Sequence, residues 1–282
     1  VQPRIIDDLL SDYILSHDLA EESEHYYRRM VGVLCSWAGR RIPLSDFTPA
    51  IVNRMLLYKQ RAGLSSHYRR SLRNAMRALL AFHCGGPVTG QLRSVQLDDL
   101  VIRVWTAAEV AILIAACGYM RESSKREWWR TIIAAGYYTG LSSVDLWRLR
   151  HRDITAQGRL AIRRSKTRKP VVATIPEPWL SALRQLSWQQ ELVWGRPMAT
   201  QVFQATFRRI VSKAGLSGTF KQLRKSCGTS IEMRYPGRGH IALGNSRAVF
   251  EKHYFSHEAL DGEPMRPQDI PPPPPQDLPP AA

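Results

Sequence analysis

Tyr254 follows Arg224 by thirty positions, and each stands in a short run of chemically suggestive residues. Arg224 lies in Leu223-Arg224-Lys225-Ser226. Tyr254 ends Glu251-Lys252-His253-Tyr254, nine positions after Asn245 of Leu243-Gly244-Asn245-Ser246. Upstream are Thr139-Gly140-Leu141 and a basic turn around Lys166, with Lys169 close by. Cutting a phosphodiester without a metal needs a nucleophile, positive charge on the non-bridging oxygens, and a proton for the departing 5′-oxygen. A tyrosine phenol can be that nucleophile, and an arginine fork can carry the charge. No acidic cluster suited to Mg²⁺ stands out in the chain, which argues against a two-metal nuclease and predicts neither metal nor small-molecule cofactor.

The elements that must hold these residues are largely helical. Ile5, Leu9 and Tyr13 recur at i, i+4 and i+8, and a second apolar stripe runs from Tyr26 to Trp37. Residues 50–60 read as a third helix. Gly63-Leu64-Ser65-Ser66 opens a fourth, with Leu72, Met76 and Leu79 inside and Arg69, Arg70, Arg73 and Arg77 outside. A row of arginines on a lone helix is as readily a solvated face. In a chain this basic it is read as phosphate contact.

Gly85-Gly86-Pro87 and Gly90 mark residues 85–104 as a linker. Thr106-Ala107-Ala108-Glu109 is a capping box ahead of an apolar helix. Further helices are predicted over 128–138, stopped at Gly140, and over 144–149. Two strands, 160–163 and 171–175, flank the turn 165–169. Helices follow at 200–214, 221–233 and 247–254. From Pro264 the chain becomes proline-rich, which predicts an extended or disordered tail.

Lys and Arg number 40 against 24 acidic residues in a chain of 282, a formal charge of +16. Such an excess points to a polyanionic partner, because each neutralised phosphate releases counterions. A basic ribosomal or secreted protein is the bland alternative, but the cations are spread over helical segments rather than gathered in a tail. The apolar fraction, 44%, suits two domains with real cores. None of Cys35, Cys84, Cys117 and Cys227 forms a CxxC pair or sits at metal spacing from a histidine. Cys35 and Cys117, in apolar runs, read as buried thiols in a reducing compartment. No secretory leader is visible and the longest apolar run, 110–117, is too short to span a bilayer, so the expectation is a cytoplasmic protein with no membrane partner.

Taken together, Thr139-Gly140-Leu141, the hairpin around Lys166, Arg224 and Tyr254 resemble the catalytic domain of tyrosine recombinases, the phage integrases. The four leading helices resemble, in pattern and order, that family's core-binding domain. The resemblance covers about residues 5–257. It implies a mainly α fold: a helical core-binding domain at 1–84, a linker at 85–104, and a catalytic domain with a small antiparallel sheet at 105–260, followed by a proline-rich tail at 261–282. It also implies that the two domains clamp double-stranded DNA, that strands are cut and rejoined through a 3′-phosphotyrosine, and that a homotetramer assembles on paired sites.

Carried over residue by residue, the resemblance makes Tyr254 the nucleophile and Arg224 a phosphate-binding arginine. It makes Lys166 the acid that protonates the leaving oxygen and Asp145 a carboxylate that orients an arginine. Arg168 and Lys169 would meet DNA from the hairpin, as Arg69, Arg70, Arg73 and Arg77 would from the fourth helix. Three positions depart from the family. Ser142 stands where the first catalytic arginine belongs, and a hydroxyl cannot make the charged, bidentate contact. Lys221 and Asn245 stand at the two histidine positions, and Asn245 can donate a hydrogen bond but cannot carry a proton. Arg148 and Arg150 are close to Ser142 in sequence but should point elsewhere.

Losing a preorganised phosphate-binding arginine typically costs about 10²–10⁵ in rate. The expectation is therefore a DNA-binding recombinase relative whose strand cleavage is impaired. The alternatives are a working integrase that tolerates Ser142, or a non-catalytic nucleic-acid-binding or scaffold protein that shares the pattern by chance.

Overall fold

A computed structural model describes residues 3–88, 90–98, 102–186, 191–195 and 198–255. The proline-rich segment lies outside them. The chain divides into two compact units, Val1–Asp99 and Leu100–Ala282.

The first unit holds four helices: α1 (Ile6–His17), α2 (Glu21–Ala38), α3 (Pro49–Arg61) and α4 (Ser66–His83). Two of them begin at a clear local signal. Pro49, with its φ already near the helical value, opens α3. The Ser65 side chain accepts from the Tyr68 amide at the head of α4 (3.3 Å). Their apolar stripes meet in one core: Ile6, Leu34, Val52, Leu72, Met76 and Leu79 are all fully buried. Each such side chain contributes about 1.5–3 kcal/mol relative to exposure.

Residues 85–98, read from sequence as linker, are tied to this core. Val88 and Leu92 are buried in it. Asn53 on α3 donates to the Gln91 carbonyl (2.9 Å) and accepts from the Arg93 amide (2.8 Å). Ser66 donates to Asp98 (2.7 Å).

The second unit is helical around a two-stranded antiparallel sheet. In order it contains α5 (Ala107–Ala116), α6 (Ser123–Thr139), α7 (Ser143–Trp147), β1 (Arg159–Arg163), β2 (Pro170–Thr174), α8 (Glu177–Arg184), α9 (Thr200–Lys213), α10 (Lys221–Arg234), α11 (Gly239–Ala242) and α12 (Arg247–His253). The Thr106–Glu109 capping box is present: the Thr106 hydroxyl accepts from the Glu109 amide, and the Glu109 carboxylate accepts from the Thr106 amide.

Helix α6 is the axis of this unit. Every residue from Thr131 to Thr139 is buried, with α5, α8, α10 and β2 packed around it. It ends at Gly140 (φ 61°), where a Cβ would meet Leu243 Cδ2 at 2.5 Å and Cys227 Sγ at 3.1 Å. Only glycine both adopts that left-handed φ easily and lets the turn come so close. Gly228 on α10 plays the matching part, since a Cβ there would meet Leu243 at 2.6 Å and Phe250 at 2.8 Å. The turn after α6, the face of α10 and the segment leading into α12 thereby converge.

Some details differ from the sequence expectation. The helix expected over 144–149 is the single turn α7, because its cap lies at Ser142 and Leu149 already bonds to Val193 in an extended segment. Helices α8 and α11 were not anticipated. A signal for α8 existed, with Pro178 in the first turn and Trp179, Leu180 and Leu183 on one side. Of the cysteines, Cys117 and Cys227 are buried, Cys35 is only partly so, and Cys84 is exposed.

Candidate active site

Tyr254 caps the end of α12. Its amide donates to the Phe250 carbonyl (2.8 Å), and its carbonyl accepts from the Thr229 hydroxyl (3.0 Å). The ring faces a cleft of about 600 Å³ that Ser142, Arg164, Lys221 and Arg224 also line. The Arg224 guanidinium carbon lies 5.2 Å from the ring centroid and Lys221 Nζ lies 5.3 Å from it. Burial pushes the phenol's pKa up, but the charges of Arg224, Lys221 and Arg164 and a hydrogen bond from Arg224 outweigh it and hold the pKa below its ordinary value.

Arg224 rises from the first turn of α10 and is buried. Its guanidinium donates to the carbonyl of Gly140 and, at 2.6 Å, to that of Leu243, with a longer contact to Asn245 Oδ1 at 3.4 Å. The convergence of glycine-lined segments thus supplies the acceptors that aim the guanidinium. Burial, then the charge of Arg164, lowers its pKa below the usual arginine range. Two buried cations side by side are costly unless an anion joins them.

Sequence reasoning did not single out Arg164. It follows β1 and is only 7% exposed, although its neighbours on the hairpin turn are largely exposed. Nη1 donates to Asn245 Oδ1 (3.0 Å) and to the Leu243 carbonyl (3.3 Å), the same two oxygens that Arg224 uses. Nε lies 3.8 Å from Asp145 Oδ2. A signal was present. Leu160, Ile162 and Arg164 alternate, so Arg164 shares the inward face of the strand.

Asp145, on α7, is the buried hub of this arrangement. Oδ1 accepts from the Ser165 amide and hydroxyl, both at 2.8 Å, and Oδ2 accepts from the Ser142 hydroxyl at 2.7 Å. Burial would raise its pKa, but these hydrogen bonds and Arg164 hold it below the usual carboxylate range. Ser142 also caps α7, its hydroxyl accepting from the Asp145 amide (3.2 Å). Asn245 turns its carbonyl oxygen toward both arginines. Its Nδ2 is buried without a hydrogen-bond partner among the described residues, as are the Nε atoms of Arg164 and Arg224.

The remaining expected residues lie elsewhere. Lys166, Arg168 and Lys169 stand exposed on the hairpin turn and do not line the cleft with Tyr254. A lysine on a solvated turn has nothing in the free protein to draw it inward. Arg148 and Arg150 line a separate groove beside Asp153 and Arg163, and Arg150 pairs with Glu191 at 3.0 Å. On α4, Arg70 and Arg77 are exposed. Arg69 and Arg73 are instead engaged with backbone: Arg69 donates to the Leu64 carbonyl (3.0 Å), and Arg73 to the carbonyls of Arg93 (2.8 Å) and Leu92 (3.4 Å). No metal-binding group of His, Cys, Asp or Glu occurs among the described residues. No helix among them is long and apolar enough to cross a membrane.

Residues 103–234 match the family model described as the phage integrase family. The fold matches that of the tyrosine recombinase catalytic domain. A lambda integrase (75–356) dimer bound to a COC′ core site superposes with a TM-score of 0.72 at 18% identity, over 90% of this chain and 96% of that one. The Tn1549 transposon integrase (82–397) in complex with circular intermediate DNA gives 0.66 at 13% identity, over 91% and 97%. The XerH site-specific recombinase bound to a palindromic difH substrate gives 0.61 at 17% identity, over 78% and 70%. No curated protein matches this sequence significantly.

Proposed function

We propose that this chain is a DNA-binding member of the tyrosine recombinase, or phage integrase, family, and that Tyr254 cleaves one DNA strand to form a 3′-phosphotyrosine. The observation that carries this reading is the phenol of Tyr254 in a cleft with Arg224 and Lys221 just over 5 Å from its ring. In the step, the phenol gives its proton to solvent and its oxygen bonds the scissile phosphorus. The bond to the 5′-oxygen then breaks with its electron pair, and that oxygen leaves as a hydroxyl after taking up a proton. Religation runs the same exchange backwards, with the phosphotyrosine holding the bond energy. Arg224 neutralises charge on a non-bridging oxygen.

Lys166 is our candidate for the acid, moving in from the hairpin turn when DNA is bound. The relatives bound to core sites, circular intermediates and junctions support duplex DNA as the partner, and the lambda integrase tetramer on a Holliday junction supports assembly on paired sites. A second reading, DNA binding with impaired cleavage, is favoured by the exposed position of Lys166 and by Asn245, which cannot relay a proton.

The test is a library of nicked duplexes with a randomised core, each carrying sulfur in place of the bridging 5′-oxygen of the scissile phosphate. A thiolate leaves without protonation, so such duplexes trap the adduct even where the acid is poorly seated. The expected outcome is a covalent adduct that maps to Tyr254 and vanishes in Tyr254→Phe, with duplex affinity unchanged. If a duplex bound tightly at its selected site yields no adduct, cleavage is not this protein's function. If the sulfur-bridged duplex is cut at least a hundredfold faster than its oxygen counterpart, and Lys166→Ala slows only the oxygen form, Lys166 is the acid.

A further inference from the structure

We propose that Arg164 supplies the second guanidinium on the scissile phosphate, delivered from the hairpin in place of the arginine that Ser142 has displaced. This inference rests on the cleavage reading above and deepens it.

Three observations converge. First, Arg164 and Arg224 reach the cleft from opposite elements and donate to the same two oxygens, those of Leu243 and the Asn245 side chain. Their forks are therefore neighbours, and both line the cleft with Tyr254. Second, Asp145 holds Arg164 as a carboxylate holds a working cation. It is buried, it lies 3.8 Å from Arg164 Nε, and hydrogen bonds from Ser142 and Ser165 to its two oxygens fix its orientation. Third, the charge count asks for an anion. Arg164, Arg224 and Lys221 surround the phenol, and Asp145 is the one carboxylate that contacts any of them among the described residues. Each guanidinium has five N–H donors, and the contacts found leave part of both sets unused. A phosphodiester, singly charged and rich in acceptors, fits that surplus.

The phenol's depressed pKa owes most to Arg224 and Lys221, and Arg164 adds the smallest share. The impairment expected from Ser142 assumed that no other cation fills the site. Arg148 and Arg150, the nearest arginines in sequence, line another groove.

The experiment has two arms. In the first, single-turnover adduct formation is measured on a sulfur-bridged duplex, so that the acid does not limit the rate. Arg164→Ala is expected to slow it about 10²–10³-fold with duplex affinity retained. Arg164→Lys, which keeps the charge and loses the fork, should fall between. Ser142→Arg in the Arg164→Ala background should recover at least tenfold, while Ser142→Arg alone should gain nothing, because two arginines would compete for Asp145. An Arg164→Ala rate within threefold of the unaltered protein overturns the proposal. So does a loss that Ser142→Arg cannot restore in a variant whose circular dichroism is native.

The second arm does not need cleavage. The Nε–Hε resonances of Arg164 and Arg224, assigned by their loss in the two lysine variants, are followed while inorganic phosphate is added. Both should move together and saturate. Movement of Arg224 alone, or of neither, overturns the proposal. If the unaltered protein never forms an adduct but both resonances move, the cleavage reading fails while the shared anion seat stands.

Discussion

Asp145 and Tyr254 both have a pKa held below the ordinary value by the donors and cations around them. Asp145 satisfies a backbone amide and two hydroxyls, and faces the Arg164 charge, from a nearly dry position. Asp145→Ala removes one partner of a buried charged group and should cost about 3–5 kcal/mol in urea unfolding. Because its folded-state pKa is depressed, its contribution is complete above the ordinary carboxylate range and lost as pH falls through the lowered value. The gap between the unaltered protein and Asp145→Asn should therefore close in acid. A gap that persists unchanged there would mean that the charge does not matter. Tyr254 is depressed by the cations around it, so the alkaline rise in cleavage rate should be centred below the ordinary phenol pKa. Lys221→Met should move that rise to higher pH. An unmoved profile would show that Lys221 does not act on the phenol.

At the scale of elements, the cleft depends on how closely the end of α6 approaches α10 and the segment before α12. Gly140→Ala forces a side chain into a left-handed turn and into Leu243 and Cys227. It should cost at least about 1–3 kcal/mol and lower the melting temperature, and it should displace the carbonyl that anchors Arg224. Unchanged melting would mean that the turn relaxes freely. In the first unit, the arginines of α4 separate by what they touch. Arg73 holds the segment at Leu92 and Arg93, so Arg73→Ala should lower stability as well as affinity for DNA. Arg70 and Arg77 are exposed, and their replacement by Ala should weaken duplex binding equally for all sequences while melting stays within about 0.5 kcal/mol of the original. A sequence-dependent loss would place them against bases.

For the whole molecule, a formal charge of +16 predicts duplex binding that weakens steeply with salt, with log K falling by several units per decade of salt concentration. Affinity that is flat between about 50 and 200 mM would exclude phosphate tracking. Much of the fold was legible because its signals are local: 3.6-residue apolar stripes in α1 to α4, the capping box at Thr106, and the alternating strands around a basic turn. Helix α11, four residues long, has no periodicity to read. The sequence marked Arg224 and Tyr254, which line one cleft, and Asn245, which accepts from Arg224, since each stands at or beside a helix end. What spacing could not decide was which cations face the phenol. Lys166 sits outside the cleft and Arg164 inside it, two positions apart on one turn. That choice is made by Asp145, Leu243 and Asn245, which lie 19, 79 and 81 positions away along the chain. A guanidinium goes where buried acceptors can hold it, and those acceptors come together only when the hairpin packs against α7 and the segment before α12.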